Sequence, residues 1–96
     1  MSYSVFYTPY AKETLSITYH FINNKFGLKA ADSFLAKVDQ IISIIAKNPF
    51  IYKASTFNEK VRIAFITKQC SLFYQVTETQ INLLFFWDNR QEPILP

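Results

Sequence analysis

The sequence contains one cysteine, one histidine and one glycine among its 96 residues. A single cysteine cannot form an internal disulfide, which fits a reducing compartment, and its apolar neighbours predict that the thiol of Cys70 is buried. One histidine and one cysteine do not supply the ligands of a metal site. One glycine rules out a glycine-rich phosphate-binding loop. We therefore expect no metal, no cofactor and no typical metabolic enzyme.

The chain also lacks a basic N-terminal segment followed by an apolar stretch, and no apolar run approaches the roughly 18 residues that a membrane helix needs. These absences predict a cytoplasmic protein without a membrane partner. The net charge is only +3, which is well short of the basic stripe of a dedicated nucleic-acid binder. Nucleophilic catalysis by Cys70 with His20 is formally possible, but nothing close in sequence activates the thiol.

Aromatic residues, in contrast, are abundant: the chain has ten Phe, six Tyr and one Trp. A chain of this length forms a single domain, here 1–96. Because small domains bury only roughly 60 to 70% of their unfolded surface, some of these rings should remain exposed. A contiguous exposed patch would indicate a partner, whereas scattered surface aromatics would need no explanation.

The first half of the chain has apolar residues at helical spacing. After a short strand at 3–7, a helix is predicted to begin at Pro9 with Thr8 as its N-cap, and to end at Gly27 in a left-handed C-cap. A second helix is predicted from about 29 to 47, where Asn48-Pro49 ends it. The predicted buried stripes are Ala11, Leu15, Thr18, Tyr19, Ile22 and Phe26 in the first helix, and Ala31, Phe34, Leu35, Val38, Ile41, Ile42 and Ile45 in the second.

The second half has the character of strands. The runs 60–67, 70–77 and 80–87 are rich in β-branched and aromatic residues, and their short polar joints predict an antiparallel meander. The order β-α-α-β-β-β predicts an α+β fold, in which a helical hairpin packs on one face of a small, mainly antiparallel sheet.

Alternation within these runs predicts which side chains face the helices. In the first run Val61, Ile63 and Phe65 lie on one face, which we expect the helices to cover, so that Arg62 lies on the open face. The last run is apolar on both faces apart from Asn82, which predicts an interior strand covered on both sides.

Polar and cationic side chains around the predicted sheet are the candidates for binding a target, and they are Lys53, Lys60, Arg62, Lys68, Asn89 and Arg90. They would bind phosphate or an acidic protein surface; ordinary surface cations that confer solubility are the alternative. Two connections separate the first and last strands of the meander, so these strands run in the same direction. We therefore expect Arg62 and Arg90 at opposite ends of the sheet, with Lys68 the nearer neighbour of Arg90.

This order of elements resembles the RelE/ParE superfamily of bacterial type II toxins. Residues 7–49 are similar to that family's helical hairpin, including the pair Ala30-Ala31 and the terminal Pro49. Residues 61–93 are similar to its three-strand half: an arginine-bearing strand, an "LFY" strand, an apolar strand and a polar tail with an arginine and a proline. The resemblance implies a toxin that a cognate antitoxin, encoded beside it, holds inactive by wrapping it with an otherwise disordered segment.

Two activities occur in this superfamily: RelE-like members cut messenger RNA on the ribosome, and ParE-like members poison DNA gyrase without being nucleases. Nuclease members carry an arginine just before the "LFY" pattern, where this chain has Ser71. They commonly have His or Tyr just after the last strand, where this chain has Asp88, Asn89 and Arg90. ParE-like members often have an arginine in that tail, and Arg90 matches this pattern.

The resemblance thus favours a ParE-like toxin that binds its target and is not itself a catalyst. A RelE-like, ribosome-dependent and metal-independent endoribonuclease is the first alternative, because Lys53, Lys60, Arg62 and Tyr74 remain available for acid–base work and charge stabilisation. A degenerate, non-toxic module that only binds an antitoxin is the second alternative.

Overall fold

Two helices pack on one face of a four-stranded sheet in the computed structural model, which describes residues 2–90. The elements are β1 (Ser4–Tyr7), α1 (Pro9–Phe26), α2 (Leu28–Lys47), β2 (Val61–Thr67), β3 (Cys70–Val76) and β4 (Gln80–Asp88). The strand order is β1-β4-β3-β2. Strands β2, β3 and β4 form the predicted meander, whereas β1 is parallel to β4. The predicted α+β class and element order are therefore confirmed, with no bound shifted by more than one residue.

The helical hairpin turns at the only glycine of the chain. The Gly27 N–H donates to the Asn23 carbonyl at 2.9 Å, and the Gly27 carbonyl accepts from the Ala31 N–H at 3.1 Å. One residue therefore ends α1 and begins α2. Its φ of +97° is rarely adopted by residues with a side chain, so glycine is required at this position. Within residues 2–90, neither helix is both long and apolar enough to cross a membrane.

The core lies between α2 and the centre of the sheet. The predicted stripe of α2 is buried at Ala31, Phe34, Val38, Ile41 and Ile45. It packs against Ala64, Ile66, Leu72, Tyr74, Ile81 and Leu83 from the strands. Helix α1 contributes less, because only Ala11 is fully buried. Its predicted stripe extended too far: Phe26, the last residue of α1, is 62% exposed.

The face of β2 that packs against the helices is the opposite of the one predicted. Ala64 and Ile66 are buried in the core, whereas Phe65 is 64% exposed. Arg62 alternates with Ala64 and therefore lies on the helix-covered side, not on the open face. The prediction was wrong because it placed the largest apolar side chains under the helices. The small side chain of Ala64, with no exposed surface, occupies that place instead.

Strand β4 is interior, as predicted, but a helix layer covers only one of its faces. On the other face a row of aromatic rings crosses the sheet: Phe57 lies 6.2 Å from Phe73, which stacks on Phe85 at 4.5 Å, and Phe85 lies 5.7 Å from Tyr10. Phe73 is buried and Phe85 half-buried in this row, whereas Phe57 and Tyr10, at its two ends, are exposed. The prediction that β4 is covered on both sides is wrong in this respect.

The hydroxyl groups of α1 fasten the second half of β4. The pairing of β1 with β4 ends at Tyr7 and Leu83. Beyond that point, the Thr8 hydroxyl donates to the Leu83 carbonyl at 2.7 Å, and it accepts from the Ala11 N–H at 3.1 Å as the N-cap of α1. Six residues further along the chain, the Thr14 hydroxyl accepts from the Phe86 N–H at 2.9 Å. The helix therefore replaces the strand as the partner of β4.

Replacing Thr14 with valine tests this replacement, because valine keeps the shape of threonine and removes the hydroxyl. We expect Thr14→Val to lower the free energy of unfolding by about 1 to 3 kcal/mol, since the Phe86 N–H loses its acceptor. Thr18→Val is the matched control, because the Thr18 hydroxyl bonds only to the Thr14 carbonyl of its own helix; its expected cost is within about 0.5 kcal/mol. Urea unfolding measures both, and equal effects would contradict the assigned role of Thr14.

Candidate functional site

The candidate residues fall into two groups at opposite ends of β2. Lys68 lies in the β2–β3 turn, and the Asn89 N–H donates to the carbonyl of the next residue, Gln69, at 2.7 Å. The end of β4 that carries Arg90 is therefore beside this turn. Lys53, Lys60 and Arg62 surround the start of β2, where the Ile63 N–H bonds to the Lys53 carbonyl. Arg62 and Arg90 thus lie at opposite ends of the sheet, as the strand directions predict.

A groove of about 630 Å³ lies between α1, the start of α2 and the end of β4. The α1 wall is a stripe at three- and four-residue spacing, made by Tyr10, Thr14, Ile17 and Phe21. The remaining lining residues are Thr18, Ile22, Phe26, Ala30, Ser33, Phe34, Lys37, Thr67, Gln69, Cys70, Phe86, Trp87, Asp88 and Arg90. The groove is thus mostly apolar, and its charged lining residues are Lys37, Asp88 and Arg90.

Arg90 lies at this groove and is held by a neighbouring acid. Its Nε and Nη2 donate to the two carboxylate oxygens of Asp88 at 3.0 and 2.8 Å. Its guanidinium carbon lies 5.3 Å from the ring centroid of Phe21 on α1. Hydrogen bonds from Arg90 lower the pKa of Asp88, and the same contact raises the pKa of Arg90. Both side chains are partly exposed, at 44% for Arg90 and 33% for Asp88, so this ion pair contributes little stability and exchanges easily.

Ser71 and Asn89 form the second polar contact at this end of the sheet. The Ser71 hydroxyl, which is 2% exposed, donates to the Asn89 side-chain oxygen at 2.8 Å. The Asn89 amide nitrogen is also within 3.5 Å of the Lys68 carbonyl. These contacts fix the chain just after β4, next to Arg90. Gln91 and Pro93, which complete the predicted tail, lie outside the described residues.

Two residues that were predicted to be available for catalysis have structural roles. The buried Tyr74 hydroxyl donates to the Pro49 carbonyl at 2.8 Å, and burial raises the pKa of Tyr74 to about 12. The Arg62 guanidinium donates to the Tyr52 carbonyl and lies 4.8 Å from the centroid of the Phe50 ring. Arg62 therefore joins the 49–52 segment to β2, and Tyr74 joins the same segment to β3.

The formal Cys70–His20 pair is not assembled. Cys70 is buried as predicted, and burial, with a smaller contribution from Asp88, raises its pKa to about 12. His20 is exposed on α1, where its ring meets the edge of Tyr19. Among residues 2–90, no three His, Cys, Asp or Glu side chains are grouped so that they could hold a metal ion.

The sequence-based list of candidates missed the α1 wall of the groove. Ile17 and Phe21 are 60% and 42% exposed, although both are large and apolar. The signal was present in the sequence, because they continue the spacing of Tyr10 and Thr14 along a stripe separate from the predicted buried one. Helix α1 therefore has two apolar stripes, whereas a helix on the surface of a globular protein typically has one.

The Arg90 contact gives a pH-dependent prediction. Because the pKa of Asp88 is lowered in the folded protein, any stability from this pair is present above the unfolded pKa and is lost as the pH falls through the folded pKa. We expect Arg90→Ala to raise the pKa of Asp88 towards its ordinary value. Carboxyl-carbon NMR titration of the parent protein and the variant measures it. An unchanged Asp88 titration would contradict the contact.

Comparisons with solved structures give the fold without close sequence similarity. The chain superposes on a structure of the chromosomal ParDE toxin–antitoxin system from P. aeruginosa with a TM-score of 0.78 and 15% identity, covering 91% of this chain and 96% of that one. The superposition on the toxin–antitoxin complex RelBE from Mycobacterium tuberculosis has a TM-score of 0.67 and 17% identity, and it covers 92% of this chain and 99% of that one. The superposition on YafQ from E. coli has a TM-score of 0.66 and 9% identity, and it covers 92% of this chain and 94% of that one. No curated protein sequence matches this chain.

The family follows from the sequence itself. The model of the ParE toxin of the type II toxin–antitoxin system parDE matches residues 5–93. The match includes both helices, all four strands apart from the first residue of β1, and the segment that carries Asp88, Asn89 and Arg90. Because the match extends over nearly the whole chain, and the fold is that of the superfamily, the resemblance to RelE/ParE toxins is confirmed. The chain belongs to the ParE toxin family of type II toxin–antitoxin systems.

Proposed function

We propose that this protein is a single toxin domain over 1–96 that acts in the cytoplasm and inhibits growth by binding a cellular target, with DNA gyrase as the first candidate. A cognate antitoxin neutralises it. The action is ParE-like, in that the toxin supplies a recognition surface and no acid–base chemistry of its own. Arg90 and Asn89, at the end of β4, are the residues proposed to contact the target.

The contact between Ser71 and Asn89 carries this proposal. By resemblance, Ser71 stands where nuclease members keep an arginine, and Asn89 is one of the three residues, with Asp88 and Arg90, that stand where they commonly keep a His or Tyr. Here the two side chains hydrogen-bond to each other at 2.8 Å, and neither a hydroxyl nor an amide replaces an imidazole as a general acid. Tyr74, the remaining phenol among the candidates, is buried and already hydrogen-bonded. Binding through a guanidinium needs no such proton transfer.

Two observations support a cognate antitoxin as the partner. Solved structures with this fold include the ParDE system from P. aeruginosa and the RelBE complex from Mycobacterium tuberculosis. The chain also exposes many large apolar side chains, among them Ile17, Phe21 and Phe26 on α1. A disordered antitoxin segment that folds on binding would cover such a surface.

A RelE-like endoribonuclease is the second candidate, and the aromatic row on the helix-free face of the sheet favours it. Tyr10 and Phe57, at the two ends of the row, are 55% and 45% exposed. Unstacked RNA bases bind to rings of this kind. Lys53 and Lys60, which flank Phe57 in the sequence, would contribute positive charge.

Induction of the protein, with its messages and its DNA examined together, separates these functions. We expect growth arrest with a DNA-damage response and intact messages. Arg90→Ala should weaken toxicity by about tenfold or more, because a hydrogen bond to a charged group contributes roughly 1.5 to 3 kcal/mol. Lys47→Ala should have no effect, since Lys47 is the last residue of α2, remote from Arg90 in the sequence and outside the groove lining.

The other outcomes have distinct meanings. In-frame cleavage of translated messages would replace the proposed function with the RelE-like one. Absence of arrest, combined with retained binding of the antitoxin, would identify a degenerate module. Equal potency of the Arg90→Ala and Lys47→Ala proteins would remove Arg90 from the target surface.

A further inference from the structure

The face of the sheet that the helices leave open carries no charge. The four strands contain only two charged residues, Arg62 and Asp88. Arg62 alternates with the core residue Ala64, and Asp88 is paired in the sheet with Cys70, which also belongs to the core. Because side chains alternate between the two faces of a sheet and paired residues share a face, both charged residues lie on the helix-covered side. Every strand residue on the open face is therefore uncharged.

Large aromatic side chains are exposed on this open face instead. Phe6 alternates with Val5 and Tyr7, which pack against the core, so its ring lies on the open side of β1. It is 51% exposed, Phe65 on β2 is 64% exposed, and the ends of the aromatic row are exposed as well. We call this surface the open sheet face, and it consists of Phe6, Tyr10, Phe57, Ile63, Phe65, Phe73 and Phe85.

An uncharged aromatic surface of this extent indicates a partner. Neighbouring strands lie about 4.8 Å apart, so the four strands make a face about 14 Å wide, and exposed rings stand on both outer strands. The stacked pair Phe73 and Phe85 connects Phe57 to Tyr10 across the sheet. Scattered surface rings need no explanation, whereas a contiguous apolar patch of more than a few hundred Å² marks an interaction site.

The lack of charge on the open sheet face selects a protein as its occupant. A nucleic-acid strand carries a negative charge at each nucleotide, and proteins that bind single strands place cations along the groove that follows the backbone. The four strands provide rings on this face and no cation. Protein–protein interfaces, in contrast, have a centre that is depleted of charged residues and enriched in aromatic ones, with a polar rim. The open sheet face has this composition.

The border of the open sheet face indicates the charge of that protein. Lys53 and Lys60 lie at the start of β2 and Lys68 lies at its end, and all three are exposed. The one acid within the segment 53–68 is Glu59. A second copy of this chain would bring three further lysines and a net charge of +3, whereas an acidic border on the partner complements these lysines.

The open sheet face is continuous with the proposed target contact at the end of β4. Ser71 is paired in the sheet with Phe65, so it lies on the open side, and its hydroxyl bonds to the Asn89 side chain. Asn89 therefore borders the open sheet face, whereas Arg90 lies on the α1 side against Phe21. A target held on the face and around the end of β4 would contact both residues.

Resting on the proposed function, we propose that the open sheet face is the surface on which the toxin holds its target, and that the target is a protein whose contacting surface has an apolar centre and an acidic border. Asn89 and Arg90 contact this border at one end of the sheet, and the β2 lysines contact it along the edge. Phe57 and Phe65 are the apolar anchors.

Growth arrest on induction of the full chain tests these anchors. Phe65→Glu and Phe57→Glu place a charge among the rings, and each should weaken toxicity by about tenfold or more, because a buried unpaired charge opposes binding at an anchor. Leu28→Glu is the matched control, because Leu28 is 58% exposed at the start of α2, outside the open sheet face; its toxicity should stay within about threefold of that of the parent protein. Circular dichroism and urea midpoints verify that the three variants are folded.

The acidic border of the target has its own test. Lys68→Glu reverses a charge at the end of β2 and should weaken toxicity by about threefold or more, because like charges then meet at the border. Lys29→Glu makes the same change at an exposed position of α2 and should leave toxicity unchanged. Equal potency of the two proteins would overturn the acidic border.

Four results would overturn the inference. Parental toxicity of both the Phe65→Glu and Phe57→Glu proteins, while Arg90→Ala weakens it, would remove the open sheet face and leave the proposed function intact. In-frame cleavage of messages that Phe57→Glu abolishes would identify a nucleic acid as the occupant. A dimer of the purified chain in light scattering that Phe65→Glu converts to a monomer would identify a second copy. Absence of arrest by the parent protein would remove the proposed function and this inference together.

Discussion

Strand β4 pairs with β1 only as far as Leu83. The rest of the site depends on which groups hydrogen-bond to the backbone of β4 from that residue onwards. Buried N–H and carbonyl groups without partners cost free energy. Thr8, the N-cap of α1, donates to the Leu83 carbonyl through both its N–H and its hydroxyl, and the Thr14 hydroxyl accepts from the Phe86 N–H. The same contacts bring α1 against the second half of β4, and a groove forms where the two elements meet. A helix that only packed on the sheet, without these bonds, would not fix that geometry.

The groove and the polar end of β4 are therefore one surface. Arg90 contacts Phe21 on the helix and Asp88 on the strand, so the residue proposed to bind the target belongs to the wall proposed to bind the antitoxin. An inhibitor that covers this guanidinium does not need to change the shape of the toxin. The ion pair with Asp88 holds the Arg90 guanidinium in place in the free protein. Because the pair is partly exposed, breaking it costs little free energy when a partner binds the guanidinium instead.

Sequence patterns predicted the parts of the fold that depend on local chemistry. Thr8 as N-cap, Gly27 at the hairpin turn and the apolar stripe of α2 were all predictable, because capping, positive φ and helical periodicity act within a few residues. The face of β2 that the helices cover was not predictable from sequence. The small side chain of Ala64 is buried there because the helix layer lies close to the strand, and this closeness is a tertiary feature. Strand alternation alone does not distinguish the two faces of an apolar strand.

The site was predictable to a smaller extent. Asn89 and Arg90 were among the predicted candidates for binding a target, and the strand directions of the meander placed Lys68 nearer to Arg90 than Arg62. The pairing of Arg90 with Asp88 and the contact with Phe21 could not be predicted, because they depend on the tertiary position of α1. Tyr74 shows the converse: an "LFY" pattern predicts an available phenol, whereas the fold buries its hydroxyl against the Pro49 carbonyl.

Native-state hydrogen exchange at the Phe86 amide tests the central claim, that α1 replaces β1 as the partner of β4, most directly. If the Thr14 hydroxyl holds this amide, its protection should be within about tenfold of that of Ile81 and Leu83, which lie in the fully paired half of the strand. Exchange as fast as that of Glu78, an exposed residue in the β3–β4 turn, while Ile81 and Leu83 stay protected, would contradict the claim.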